Sequence, residues 1–500
     1  PRGGGAAPSP HPLEETMTAT TPTATRTVTA RARRGPAVLL AVAAVVLGVA
    51  AGRFVLYRPD GAAPGVVGRG GPPSPEQRVE QLEAAARRTP DDVQTLQSLG
   101  AAYVQLVAAG GDVSLYNAAE AVLDRAAERA PGDPRVLLTQ GYVALARHDF
   151  ALARDLGSQA RAIDAFDPDA LAVLVDAGVE LGRYDEAAVY LQTMLDLRPG
   201  LAAYSRVSYL RELHGDVIGA RRAFAQAETA GTDRYDLATV AVLRGKLALN
   251  HGDVDEASAR FAQARGYVET PAGVEAGEAR VLAARGNVEG AIAVLERAVE
   301  ERPTAEVAIL QGDLLRLEGR QADARRADEV VRDLARRERA AGADVDMEMA
   351  LFEADRGHPA RALALARAAH TRKPDNVTAN IALAWALRAT GAPESALPYV
   401  ERALRLGTRD GLLHFRAAAV LADTGQNDRA RAELATAFEI NPRFSFGHQQ
   451  QARELAARLG LPVGATYAKA CQPETRRQDC AERRASRRAA AGILPPSERD

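Results

Sequence analysis

The feature that most constrains this chain is a spacing. Ala119, Ala153, Ala187, Ala220, Ala257, Ala291, Ala324, Ala362, Ala396 and Ala430 follow one another at gaps of 34, 34, 33, 37, 34, 33, 38, 34 and 34 residues. Alanine is frequent here, so the ladder would mean little alone. Five residues before it, however, runs a second ladder: Gly182, Gly215, Gly252, Gly286, Gly319, Gly357, Gly391 and Gly425, eight of ten cases. The stretch Gly182–Pro199 shows what one step does. Gly182 ends a helix in the left-handed conformation, and Tyr184 and Asp185 open the next helix. Ala187 is small enough to admit a neighbouring helix, Leu191 and Met194 continue an apolar face at helical spacing, and Pro199 stops the run.

Other positions keep the same register. Leu123, Leu191, Phe224, Phe261, Leu295, Val400 and Leu434 take the large apolar place of the second helix, and Pro131, Pro199, Pro303, Pro374 and Pro442 close repeats. Helix–turn–helix units at a period near 34 resemble the tetratricopeptide repeat over roughly residues 75–445. Three departures stand out. Ser114 and His148 replace the turn glycine in the first two repeats, and Asp328 replaces the large apolar residue of the seventh. Wording such as Ser205–Asp216 and Ala350–Gly357 resembles a group of bacterial membrane-anchored repeat proteins with no assigned chemistry.

The resemblance implies an all-α, right-handed superhelix of about ten repeats, whose first helices line a concave groove for a protein or peptide partner. The ninth position of each repeat maps to Tyr142, Asp176, Tyr209, Lys246, Arg280, Asp313, Leu351, Trp385 and Ala419. Nearby groove positions add Glu180, Glu212, Asn250, Arg316, Arg388 and Phe415. The candidate partner-binding set is Tyr142, Asp176, Tyr209, Lys246, Arg280, Asp313, Arg316, Trp385 and Arg388. Tyr209, Lys246 and Arg280 are expected as exposed side chains on successive steps, suited to an acidic extended segment. For Trp385 and Phe415, packing against adjacent repeats is an equal alternative.

Outside the repeats, composition divides the chain. Residues 1–35, rich in Pro, Thr, Ala and Gly, read as a disordered cytoplasmic segment. Within 36–57, the apolar stretch from Ala37 to Tyr57 spans 21 residues, enough for a transmembrane helix. Arg26, Arg31, Arg33 and Arg34 precede it and favour an amino terminus in the cytoplasm, with the repeats outside the cytoplasmic membrane. A cleaved signal peptide, leaving a secreted or periplasmic protein, is the alternative. A Pro/Gly linker follows at 58–74, then a capping half-repeat at 75–90 and the repeats proper at 91–445. A capping helix is expected within 446–462 and a basic flexible tail at 463–500. The charges of 321–341 read as a solvated face.

The same residues exclude much chemistry. Seven Arg against two Glu in 1–58, and seven Arg against five acids in 471–500, leave the repeats acidic within a net charge of −2. An acidic surface is a poor one for phosphate contacts, so no nucleic acid is expected. Gly245-Lys246 lacks the earlier glycine of a phosphate loop, and no Gly-x-Ser-x-Gly or His-Glu-x-x-His occurs. His148, His214, His251 and His358 fall at or beside turns, where a polar residue is ordinary. No enzyme, metal or cofactor is expected. Cys471 and Cys480, the whole thiol inventory, form a candidate disulfide if the tail lies in an oxidising compartment. Two functional classes remain: a membrane-anchored interaction scaffold, or an accessory subunit of an envelope enzyme or transport system such as cytochrome maturation or polysaccharide export.

Overall fold

Each repeat folds as a helix pair because its ends are encoded locally. Asp133, Asp167, Asp233, Asn376 and Asp410 sit at N-caps, their side chains accepting from backbone N–H groups of the first turn. The turn glycines at 182, 215, 252, 286, 319, 357, 391 and 425 all have positive φ. His148 takes the same left-handed conformation at φ 62°, whereas Ser114 does not, at φ −59°. The residues described in this computed structural model, 73–108 and 111–462, form twenty-two helices and no strand.

The ten pairs are α2 (Val93–Ala108) with α3 (Leu115–Arg129), α4 (Pro134–Ala146) with α5 (Phe150–Ile163), α6 (Pro168–Glu180) with α7 (Tyr184–Leu197), α8 (Leu201–Leu213) with α9 (Val217–Ala230), and α10 (Arg234–Asn250) with α11 (Val254–Tyr267). They continue as α12 (Val274–Ala284) with α13 (Val288–Glu301), α14 (Ala305–Leu317) with α15 (Gln321–Ala340), α16 (Asp346–Asp355) with α17 (Pro359–Arg372), α18 (Val377–Ala389) with α19 (Pro393–Leu404), and α20 (Gly411–Asp423) with α21 (Asn427–Ile440). Single helices flank the array, α1 (Pro75–Arg88) before it and α22 (Gln449–Arg458) after it. All ten alanines of the ladder are fully buried, as a small residue between close helices must be. First helices also touch one another along α2–α4–α6–α8, α10–α12–α14 and α16–α18–α20, which makes them the inner layer.

The seventh repeat keeps its place despite Asp328. That carboxylate is buried, and it is held by Arg316 and by Arg356, the latter at 2.9 Å. An ion pair fills the position that Leu or Phe fills elsewhere. The solvated face expected on α15 is therefore only partial, because Asp328 and Glu338 both point inward. Among the described residues no helix is long and apolar enough to cross a membrane. The stretch expected to cross a membrane, the linker up to residue 72, the tail and both cysteines lie outside the described residues.

One contact system sits on top of this repeat pattern. The turns inside repeats two to five meet the loops that follow repeats seven to ten, some 192–196 residues further on. Asn376 Nδ2 donates to the Glu180 carbonyl at 3.0 Å, Thr408 Oγ1 to the Leu213 carbonyl, and Asn441 Nδ2 to the Leu249 carbonyl at 2.8 Å. These carbonyls belong to the last turns of α6, α8 and α10, which have no partner within their own helices. At the first rung, Asp344 N–H donates to the Arg147 carbonyl at 2.8 Å, and His148 Nδ1 lies 2.9 Å from the Asp344 carbonyl. Cations seat the rungs: Lys373 Nζ lies 4.6 Å from the Phe150 ring centre, and the Arg405 guanidinium 5.3 Å from that of Tyr184. Tyr184 Oη in turn accepts from Val377 N–H at 3.0 Å. The largest apolar cluster joins α6, α8 and α10 to α18 and α20, so the array closes on itself after about five and a half repeats.

The closure divides the turn glycines into two kinds. A Cβ on Gly182 would lie 2.3 Å from the Asp375 carbonyl carbon, and one on Gly215 would lie 2.4 Å from the Gly407 oxygen. At Gly286, Gly357 and Gly391 a Cβ would meet nothing within 4 Å. Alanine at Gly286 is expected to cost only the left-handed strain, about 1–2 kcal/mol. Alanine at Gly182 or Gly215 must also push the seam apart, and is expected to cost clearly more. Equal losses in denaturant midpoint at Gly182→Ala and Gly286→Ala would show that the seam contributes nothing.

Candidate functional site

The inner layer is where the sequence places the partner-binding residues, and the closure has changed their surroundings. Tyr142, Asp176, Tyr209, Lys246 and Trp385 are all buried. Arg280, Asp313, Arg316 and Arg388 are half-buried. The exposure expected for Tyr209 and Lys246 is thus corrected: Tyr209 belongs to the apolar cluster that α8 and α10 share with α18 and α20, and Lys246 is buried with its ammonium on Glu306 of α14. Trp385 and Phe415 pack together at 6.0 Å between ring centres, which settles the choice between packing and exposure.

The charges among these residues pair with one another. Asp176 takes Arg206 in a two-pronged bridge, Oδ1 to Nε at 2.9 Å and Oδ2 to Nη2 at 2.6 Å, with the side chains only 4% and 5% exposed. Burial pushes the Arg206 guanidinium down, and Asp176 more than restores it, leaving it above its ordinary value. Lys246 Nζ donates to Glu306 at 2.7 Å, and Arg356 joins Asp313 at 2.7 Å to Asp328 at 2.9 Å. Arg280 has only long contacts to Asn250 Oδ1, 3.4 and 3.5 Å, and burial lowers it despite Glu306 and Asp410 nearby. Buried pairs of this kind roughly break even against apolar packing, but losing one partner costs about 3–5 kcal/mol.

The inner face opens at the carboxyl end. A cavity of about 410 Å³ is lined by residues of α16, α18, α20 and α22, among them Asp355, Trp385, Arg388, Phe415, Glu454 and Arg458. Arg388 Nε lies 2.7 Å from Asp423, which Arg458 also reaches at 3.2 Å. The Arg388 guanidinium lies 4.8 Å from the Trp385 ring centre. Behind that wall, Asp355 accepts from Trp385 Nε1 at 2.7 Å, from Arg416 Nη2 at 3.0 Å and from His448 at 3.1 Å. Burial raises the Asp355 carboxyl, but His448 and Arg416 outweigh it and hold the group well below the usual carboxylate range. Asp355, Arg416 and His448 were missed as site residues in the sequence, and only their helical register could have placed the first two inward. Among the described residues no group of three or more His, Cys, Asp or Glu could hold a metal ion.

Fold and site together define a helix-pair solenoid, a class of protein that works by presenting surface. Family profiles described as "Tetratricopeptide repeat" match residues 111–170, 248–314 and 348–411. The chain is a tetratricopeptide repeat protein. Among solved structures it is similar to the Cut9–Hcn1 hetero-tetramer of the APC/C, at 12% identity over 77% of this chain and 67% of that one, with a TM-score of 0.42. It is similar also to a thermophilic TPR protein from Thermus thermophilus, at 22% identity over 39% of this chain and 98% of that one, with a TM-score of 0.33. A third is a tetratricopeptide repeat protein from Parabacteroides merdae, at 15% identity over 62% and 99%, with a TM-score of 0.31. No curated protein matches the chain.

One titratable group reports on the seam. His251 follows α10, and burial, aided by Arg221 and Arg409, pushes its imidazole down to about 4. The unfolded chain, with histidine near 6.5, then binds the extra proton between those values. The stability tied to neutral His251 is therefore complete above about pH 6.5 and lost as pH falls toward about 4. The parent is expected to lose melting temperature between about pH 7 and pH 5 faster than a His251→Gln variant. Parallel curves over that range would refute the assignment.

Proposed function

We propose that this protein is a membrane-anchored interaction scaffold that takes its partner at the open carboxyl-terminal mouth of the inner face. Tetratricopeptide repeats imply a protein–protein interaction scaffold, and the fold is generally non-catalytic. The observation that carries the choice of surface is the contrast along the inner layer. Tyr209 and Lys246 are sealed, whereas the mouth holds a cavity of about 410 Å³ with Arg388, Glu454 and Arg458 at its rim. Aromatic walls with Arg at the edge favour a partner segment carrying one apolar anchor and a carboxylate. Arg280, Arg316 and Arg388 keep part of the role expected of the wider groove set, because they retain some exposure.

The test uses rim residues whose loss does not open the core. Replacing Arg388, Glu454 and Arg458 together with Ala is expected to leave melting nearly unchanged, since such ion pairs are worth about 1 kcal/mol or less. The same change is expected to abolish most crosslinked partners recovered from membranes, with crosslinks in the parent mapping to α18 and α22. A folded variant that keeps every crosslink would defeat the assignment of the mouth.

Anchoring rests on the apolar stretch from Ala37 to Tyr57 and the arginines before it. It puts the solenoid outside the cytoplasmic membrane, where it assembles envelope proteins or serves one envelope machine as an accessory subunit. A reporter active only outside, fused after residue 75, is expected to be on. A reporter active only in the cytoplasm, if on at that position, reverses the topology.

A further inference from the structure

A second feature lies behind the wall of the mouth and shares Asp355 with it. The segment between α21 and α22 carries Ser445, flanked by two aromatic anchors. Phe444 packs against Phe415 at 5.5 Å and Phe438 at 6.0 Å between ring centres, and Phe446 joins the apolar cluster of α12 and α14. Between those anchors Ser445 is half-buried. Its Oγ lies 2.9 Å from Nδ1 of His448, whose Nε2 lies 3.1 Å from Oδ1 of Asp355. His448 is 6% exposed, and its ring is wedged between Trp385 at 6.0 Å and Phe415 at 5.4 Å.

The bonding of Asp355 assigns the tautomer. An ionised carboxylate accepts, so Nε2 carries the proton and donates to it, and in the neutral ring Nδ1 is left as the acceptor for the Ser445 hydroxyl. Three side chains in line, with a hydroxyl on a base and the base on a buried carboxylate, form the arrangement that activates a serine. Here the ring presents Nδ1 to the serine and Nε2 to the acid. Arg416, 2% exposed, spends Nη2 on Asp355 and has no partner for Nε and Nη1. Asp355, Trp385 and Phe415, all neighbours of His448, are also walls of the 410 Å³ cavity, which Ser445 and His448 themselves do not line.

We propose that Ser445 is a nucleophile, with His448 as its general base and Asp355 as the residue that positions the imidazole. The fitting substrate class is an ester or thioester small enough to bring its carbonyl carbon to the half-buried Ser445. Ser445 Oγ bonds to the carbonyl carbon while its proton passes to Nδ1. The imidazolium returns that proton to the leaving alcohol or thiol as the carbon–oxygen or carbon–sulfur bond breaks. Water then attacks the acyl-serine, with Nδ1 taking its proton and passing it to Oγ. Ester and water become acid and alcohol, and the side chains end as they began.

A fluorophosphonate probe tests the first step, because a phosphorus–oxygen bond forms at an activated serine as fluoride leaves. The full-length parent is expected to be labelled at Ser445, as located by mass spectrometry, and Ser445→Ala to lose that label. His448→Ala should slow labelling by about a hundredfold, and added imidazole should restore part of the rate. His448→Gln, which can still donate to Asp355, guards against loss of fold and should be as slow as the alanine variant. Asp355→Asn should slow labelling and displace the pH profile, a change that looser packing alone would not cause. Absence of label at Ser445 in the folded parent, or equal rates in the parent and His448→Gln, would overturn the proposal and leave the three residues as a strap that closes the array.

Discussion

The structure depends on how three helix ends find partners for their last carbonyls. A helix that stops at a tight glycine turn leaves backbone oxygens without intrahelical donors, and water normally satisfies them at a solenoid's rim. Here Asn376, Thr408 and Asn441 bring side-chain donors to α6, α8 and α10 from nearly two hundred residues away. Each donor is almost fully buried. Removing one leaves both a buried carbonyl and a closed space that water cannot easily enter. Repeat arrays are usually stable as sums of neighbouring interfaces. This seam adds terms between repeats that are not neighbours, so the early and late repeats are expected to lose structure together. Such contacts close very long loops and so belong late in folding.

Burial also explains why the charges of the inner layer are so thoroughly paired. An open groove can leave Asp176 or Lys246 to water. Where those side chains are buried, each charge needs a counter-charge or it would be too costly to bury. The pairs run between repeats, Asp176 to Arg206, Lys246 to Glu306, and Asp313 to Arg356. The Lys246 pair skips α12 and ties α10 to α14, and a slipped repeat would strand each partner. Arg280, with only long contacts to Asn250, is the step at which this pairing is weakest.

The repeats were legible in the sequence because their causes are local. The left-handed turn at Gly182, the buried Ala187 and the apolar Leu191 lie within ten residues of one another, and each recurs. The seam was not legible, because the same letter serves two situations: Gly182 lies against the Asp375 backbone, while Gly286 faces open space. Asn376 reads as an ordinary N-cap, and it is one, accepting from Ala379 N–H through Oδ1. Its second role, through Nδ2, needs the pitch of the superhelix, which depends on small angles summed over about five and a half repeats. The exposure expected of Tyr209 and Lys246 failed for a related reason. Periodicity places a residue on the inner helices, but it does not say how deeply its neighbours bury it.

Seam and mouth are built from the same helices, and that shared construction links them. Helix α18 begins at the Asn376 and Val377 contacts with the third repeat and ends beside Trp385 and Arg388 at the cavity. Helix α20 begins just after Thr408 and carries Phe415 and Arg416. Both helices are buried nearly all round. A rigid rod anchored at one end to the first turn of the superhelix cannot tilt at the other end without disturbing that anchor. Any ligand that prefers one tilt of α18 and α20 must therefore favour one state of the seam, and by reciprocity the seam must set the affinity of the mouth. The early repeats contribute to binding in this way without contacting the ligand, by holding α18 and α20 at a fixed inclination.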